Sequence, residues 1–294
     1  MLDLPSRLTR LHTDERGVQN IVGYSLLILI VLGGSSLGLV ATAEQLTAGE
    51  RQTKTTKIET NINLVRGDGI DIVQGAPYRR VNFEGVDGEL RFGGTEELEV
   101  RASGGDVNIT QAATANFTTR LVEYRFDPQQ ADEAIYRTGF GLRTKQFENS
   151  ENALVQTQPV MQTGNRRTVL ILPQYRRITD ASASIGFTQV SQVPITLSRR
   201  NAGTVSQLAT TDDGSTTVMS GNITVDETPR QNAWVRYFKS SPQFTAKDGP
   251  DADTTAEYVE DWDGDGTPEV RAHFESTRLF IRFAQIGVEL DARL

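Results

Sequence analysis

The 294-residue chain has no cysteine, which excludes disulfides, thiolate metal sites and a cysteine nucleophile. Histidine is almost as scarce. Of the two, His12 precedes the long apolar run and His273 sits inside a strand-like pattern, so general-base and zinc chemistry have little to draw on. No glycine-rich phosphate loop, nucleophile elbow or zinc-ligand spacing occurs, and the expectation is a protein without catalytic residues. Lysine is rare too: only Lys54, Lys57, Lys145, Lys239 and Lys247 occur, so 25 of the 30 basic residues are arginine. With 38 acidic residues the net charge is −8, which argues against nucleic acid as a partner, because phosphate binding needs clustered cations.

The longest absence is of charge itself. From Gly17 to Ala43, 27 residues pass without Asp, Glu, Lys or Arg. As a helix this run measures about 40 Å, against a hydrocarbon core of about 30 Å. Ser25–Leu32 is apolar on every side, which a surface helix of a soluble domain does not need. The run is therefore expected to enter the membrane. Flanking charge does not orient it, since Arg7, Arg10 and Arg16 before it balance Arg51, Lys54 and Lys57 after it. The short N-terminus and large polar remainder favour an outer body. Gly34 and Gly38 have the spacing that lets two helices pack closely, or else reflect the ordinary glycine content of a membrane helix.

Two processing schemes fit the run. Ala41-Thr-Ala43 reads as a small-x-small cleavage site, but the run exceeds the usual apolar region of a removable signal peptide, about 7–15 residues. Arg16-Gly17-Val18-Gln19-Asn20, directly before it, resembles the class III signal of archaeal type IV pilin-like proteins. That resemblance implies cleavage by prepilin peptidase between Gly17 and Val18, with the helix retained, and other pilin-like subunits as partners beside membrane lipid. Val22 stands where bacterial pilins carry glutamate, as is common in archaeal members. Low lysine with plentiful Asp, Glu and Thr resembles proteins of salt-loving archaea. Gly75-Ala-Pro77-Tyr-Arg79, the Trp234…Tyr237-Phe238 segment and the apolar C-terminal strands are similar to haloarchaeal pilin-like proteins of uncharacterised function.

The expected organisation is a leader over 1–17, a transmembrane helix over 18–43, a helical stalk over 44–67 ended by Gly67-Asp-Gly69, and a β-rich extracytoplasmic domain over 68–294. Within that domain, Ile70–Val73, Glu89–Phe92 and Glu97–Arg101 alternate as strands do, and Thr168–Leu172 reads as a buried strand stopped by Pro173. Ile185, Phe187, Val193, Ile195 and Leu197 suggest one sheet face. Leu279, Ile281 and Phe283 are out of phase with Ile286, Val288 and Leu290, as if a bulge lay at Ala284-Gln285. Trp234, Val235, Tyr237 and Phe238 mark a helix capped by Asp226 or Thr228, and residues 240–257 read as a loop. The predicted fold is mainly β, an antiparallel sandwich with one covering helix.

Asp261-Trp-Asp263-Gly-Asp265-Gly266-Thr-Pro-Glu269 places oxygen ligands at positions one, three and five with glycine at six, the pattern of a calcium loop. Position twelve is Ala272, so it is not an EF-hand, and a solvated acidic turn explains it equally well. Asn108, Asn116 and Asn222 begin Asn-x-Thr sequons, at about the number that chance supplies. Arg66-Gly67-Asp68 spells an adhesion tripeptide but reads as a turn. These features leave a pilin-like surface protein, a calcium-dependent binding module and, last, an extracytoplasmic enzyme as competing readings.

Overall fold

The computed structural model describes residues 49–85, 88–103, 113–126, 134–147, 150, 152–164, 166–178, 184–187, 191–210, 214–246, 258–262 and 264–290. Compactness divides the chain into Met1–Thr53 and Lys54–Leu294. Of the first unit only 49–53 are described, as helix. Arg16, Gly17, Val18, Gly34, Gly38, Asn108 and Asp263 lie outside the described residues, and no described helix is long and apolar enough to cross a membrane.

Helix α1 runs over 49–74. Strands follow as β1 (Tyr78–Gly85), β2 (Gly88–Ser103), β3 (Ala113–Phe126), β4 (Ala134–Gly139), β5 (Leu142–Phe147), β6 (Leu154–Thr157), β7 (Val160–Gln162), β8 (Thr168–Arg177), β9 (Ser184–Phe187), β10 (Ser191–Leu208) and β11 (Met219–Asp226). Helix α2 (Gln231–Ser240) precedes β12 (Val259–Glu260), β13 (Glu269–Ser276) and β14 (Arg278–Leu290). The described residues are thus mainly β, with two helices. One sheet has the order β1-β10-β14-β8-β7; the other runs β12-β13-β11-β2-β3-β4-β5-β6, with β9 also on β2. The expectation of an antiparallel arrangement has one exception, the parallel pair β14–β8.

The first helix departs from expectation. It passes through Gly67-Asp68-Gly69 and takes up Ile70–Val73, which alternation alone assigns to a strand. Ile58, Ile62, Val65, Ile72 and Val73 are all buried and recur at helical spacing, so packing overrides local propensity. Gly69 belongs to the same stripe because a side chain there would not fit: a Cβ would stand 2.2 Å from the Tyr175 hydroxyl. That hydroxyl donates to the Val65 carbonyl at 3.1 Å. The helix ends instead at Gly75, whose φ of 133° suits glycine, and Pro77 follows.

Strand corrections follow the same logic. Glu89–Phe92 and Glu97–Arg101 are one strand, β2, bent by an extra residue between Phe92 and Thr95 where Gly93-Gly94 sits. Pro173 does not end β8. Strand β7 pairs only as far as Ile171, and the Tyr175 N–H, two residues on and so facing the same edge, turns away from β14 to Thr119 Oγ1 at 2.8 Å. A missing N–H at 173 therefore costs the sheet no bond to β14. Ile185 and the Val193–Leu197 series lie in different sheets, on β9 and β10, yet pack on the same core.

That core is one of two. The first gathers Leu98, Val100, Leu170, Leu172, Ile223, Val225, Val270, Ala272, Leu279 and Ile281 beneath α2. The second joins the α1 stripe to Phe83, Leu90, Tyr124, Tyr136, Ile195, Ile286 and Val288. Their existence explains the phase change in β14. Its pairing with β8 is unbroken, so Leu279 and Ile281 face one core while Ala284, Ile286, Val288 and Leu290 face the other from the opposite side. The irregularity lies on the partner strand, between Arg199 and Asn201 of β10, rather than at Ala284-Gln285.

Candidate functional site

The acidic loop joins β12 to β13. Gly264 (φ 79°) and Gly266 (φ 92°) take the left-handed conformation that lets the chain wind tightly. It winds around Asp261, whose Oδ1 accepts the Gly264 N–H at 2.8 Å and whose Oδ2 accepts that of Gly266 at 3.0 Å. Asp265 Oδ1 accepts from the Thr267 N–H at 2.7 Å. Glu269 begins β13, is buried, and accepts the Trp262 N–H at 2.8 Å through Oε2. The loop therefore closes on its own carboxylates. Among the described residues no three acidic or histidine side chains converge on one point, and Asp263 lies outside them.

Beside the loop, a groove of about 210 Å³ crosses the outer surface of β2, β3, β11 and β13. Glu97, Glu99, Arg101, Asn116, Glu269 and Arg271 help to line it. Arg101 pairs with Glu99, while Arg271 lies 4.1 Å over the Trp262 ring and donates to Thr224 Oγ1 at 3.2 Å. Burial lowers the proton affinity of the Arg271 guanidinium, nearby Arg101 adds to this, and Glu269 and Glu99 oppose it. Four carboxylates, Glu97, Glu99, Asp226 and Glu269, thus face two guanidiniums across the groove, which is acidic on balance.

The remaining expected residues are placed apart. Asn116 is exposed on β3. Asn222 is half-buried on β11, its Oδ1 3.2 Å from His273 Nδ1. His273 also exchanges two backbone hydrogen bonds with Thr245, at 2.8 and 3.0 Å. That bridge fixes the start of the expected 240–257 loop, where Phe244 and Ala246 are buried in the first core. Arg66 is not in a turn: within α1 it donates to the Gly141 and Gln158 carbonyls at 2.5 and 2.7 Å.

Two buried carboxylates escaped the sequence reading. Glu96, fully buried beside the β2 bulge, receives Arg230 through both oxygens (3.0 and 2.6 Å), Trp234 Nε1 at 2.8 Å and Thr228 Oγ1 at 2.6 Å. Arg230 completes its donors on the Leu142 and Gly139 carbonyls. Thr228 therefore holds Glu96 rather than capping α2, and Arg230 occupies the cap position without a side-chain bond there. Glu123 on β3 gathers Arg91, Arg125 and Arg137 within 3.1 Å. Burial pushes its carboxyl up, but Arg137 first, then Arg125 and Arg91, outweigh that and hold it below the ordinary value of 4.5. Both acids are sealed by their donors.

Comparison with curated proteins and with solved structures finds no match. One family model, described as a family of unknown function, matches residues 16–287, spanning the uncharged run and nearly all of the β-rich body.

Proposed function

The chain belongs to that family, DUF7289, and from this premise we propose that it is a membrane-anchored, exported surface protein of pilin-like type. The observation that carries this reading is the 27-residue uncharged run directly behind Arg16-Gly17. The family match spans that run as well as the body. In this reading the leader over 1–17 is removed by prepilin peptidase, and the body, an antiparallel sandwich-like ectodomain with α2 as its cover, stands outside the cell membrane. The fastening of α1 to the strands suits a body carried from its N-terminal side. A body of this size favours a minor filament subunit or a standalone anchored domain.

N-terminal sequencing of the mature protein tests the reading. A start at Val18, with the protein resisting alkaline extraction from membranes, supports it. An intact Met1 or a start at Glu44 overturns pilin-type processing, and release by alkaline extraction overturns the anchor. Electron microscopy of a deletion strain then separates filament subunit from anchored domain.

A second reading, a calcium-dependent surface module, is favoured by the winding of the 261–269 loop around Asp261. Its expected affinity is weak, about 10⁻⁴–10⁻³ M. Calorimetric titration with calcium, with Asp263→Ala as control, is expected to show saturable heat lost in the variant; no heat at millimolar calcium removes this reading.

A further inference from the structure

A second, larger cleft of about 470 Å³ opens where β8 ends against β3. Its walls include Arg120, Arg176 and Arg177 together with Thr95, Thr118 and Thr119, and among the described residues no carboxylate lines it. Glu97 stands at the rim, where its Oε1 lies 3.5 Å from Thr118 Oγ1, and Glu96 beneath is neutralised by Arg230. In a chain of net charge −8 this is an unusual local excess of positive charge.

Two of these arginines, Arg120 and Arg176, differ from the ion-paired arginines of the body. Arg79, Arg91, Arg101, Arg125, Arg137 and Arg230 each bind a carboxylate. Arg120 and Arg176 make no ion pair and no side-chain hydrogen bond among the described residues, and both are exposed. Their supports, in contrast, are fixed. Arg120 is paired across the sheet with Thr95. Tyr175, next to Arg176, is held at both ends, its N–H on Thr119 Oγ1 and its hydroxyl on Val65 of α1. Thr119 is itself buried and donates to the Arg120 carbonyl at 3.2 Å. The floor is thus tied in place while Arg120 and Arg176 above it have no carboxylate partner among the described residues.

We propose that this cleft binds an oxyanion, sulfate or phosphate in ester linkage on a ligand the size of a small saccharide. Guanidinium groups carry donors only, in a planar fork that matches two oxygens of such an ester, and the threonine hydroxyls extend the donor set. The volume falls within the range of small-molecule sites, about 300–1,000 Å³, and exceeds what a lone ion fills. The site is independent of the reading of the N-terminus. The same oxyanion chemistry is offered by an inorganic ion or by a modified glycan, and the experiment separates them.

Full-length protein in detergent is titrated calorimetrically with a sulfated disaccharide, its unsulfated parent, inorganic sulfate and inorganic phosphate. Saturable binding of the sulfated sugar, no binding of the parent, and weakening with added sodium chloride are expected. Arg176→Ala and Arg120→Ala are each expected to weaken binding by about tenfold, the range of a charge-assisted hydrogen bond. Arg176→Lys keeps the charge but loses the fork, and is expected to fall between. Arg236→Ala, exposed on α2, changes nothing. Inorganic sulfate binding more weakly at the same arginines supports the ester as ligand; inorganic ions binding as tightly as the sugar overturns the saccharide part. No saturable binding of any probe at millimolar concentration, or equal losses in Arg236→Ala and Arg176→Ala, overturns the proposal. Unchanged circular dichroism and thermal midpoint in every variant confirm that binding alone has been altered.

Discussion

The two helices are fastened to the strands in opposite ways. The grip on α2 is concentrated: Trp234, Tyr237 and Phe238 form an aromatic cluster with Phe244, and one sealed pair, Arg230 with Glu96, pins the turn that precedes the helix. The grip on α1 is dispersed. Five aliphatic side chains lie on the second core, and polar contacts ring them: Asn61 to the Glu84 carbonyl, Lys57 to the Glu84 carboxylate, Arg66 to two carbonyls, and Gln156 to Glu59. A concentrated attachment fails at a point. A dispersed one weakens by degrees, and suits an element that carries load along its length.

The sharpest way to break this contrast is Arg230→Ala. It leaves Glu96 charged and buried without its partner, and a loss of about 3–5 kcal/mol is expected in urea unfolding, with Trp234 fluorescence reporting the first core. Replacing Glu96 and Arg230 together by Gln and Met is expected to cost less than Arg230→Ala alone; if it costs more, the pair is not the pin. Gly69→Ala comes next. The added methyl meets the Tyr175 ring and hydroxyl, so an overpacking cost of about 1–3 kcal/mol is expected, reduced in a Tyr175→Phe background.

Smaller effects test dispersal itself. Asn61→Ala and Lys57→Ala are each expected to cost no more than about 1 kcal/mol, because each removes one of several contacts around α1 and Lys57 is partly exposed. A loss as large as that of Arg230→Ala at either position would show that α1 too hangs from one point. The last prediction concerns acid. The Glu123 carboxyl titrates lower in the folded protein than in the unfolded chain, so its contribution to stability is present above pH 4.5 and is lost as pH falls through its lowered folded value. Glu123→Gln is expected to flatten that acid limb of the stability curve, and a limb of unchanged slope would sink the assignment.

How much of this was legible in the sequence differs between the two regions. The face of α2 was readable because Trp234, Val235, Tyr237 and Phe238 fall together within one short polar-flanked segment. The course of α1 beyond Gly67 was not, because two glycines and an alternating Ile70-Asp-Ile-Val73 outweigh a helix locally. Only Tyr175, 106 positions after Gly69, explains why glycine sits there. The phase change in β14 was visible as a fact, but its cause was hidden, since nothing in one strand reveals that a second core lies on its other side. Glu96 and Glu123 were illegible for a plainer reason: a glutamate in an alternating pattern reads as a solvent-facing residue until its arginines are brought to it. In the acidic loop, spacing pointed to a sharp turn at Gly266, and the carboxylate bonds to Gly264 and Gly266 add the residue, Asp261, around which the chain winds.

The place of β14 has a consequence for the order of events in folding. It is the last described strand to be synthesised, yet it stands in the middle of its sheet, between β10 and β8. Until it arrives, β1 with β10 and β7 with β8 are two separate antiparallel pairs, the first closed over a long stretch of chain, each with an edge exposed for pairing. Insertion of one central strand must close them both and seal each core from its own side. Folding of this half of the molecule is therefore a late, non-local step, slow by the measure of contact order.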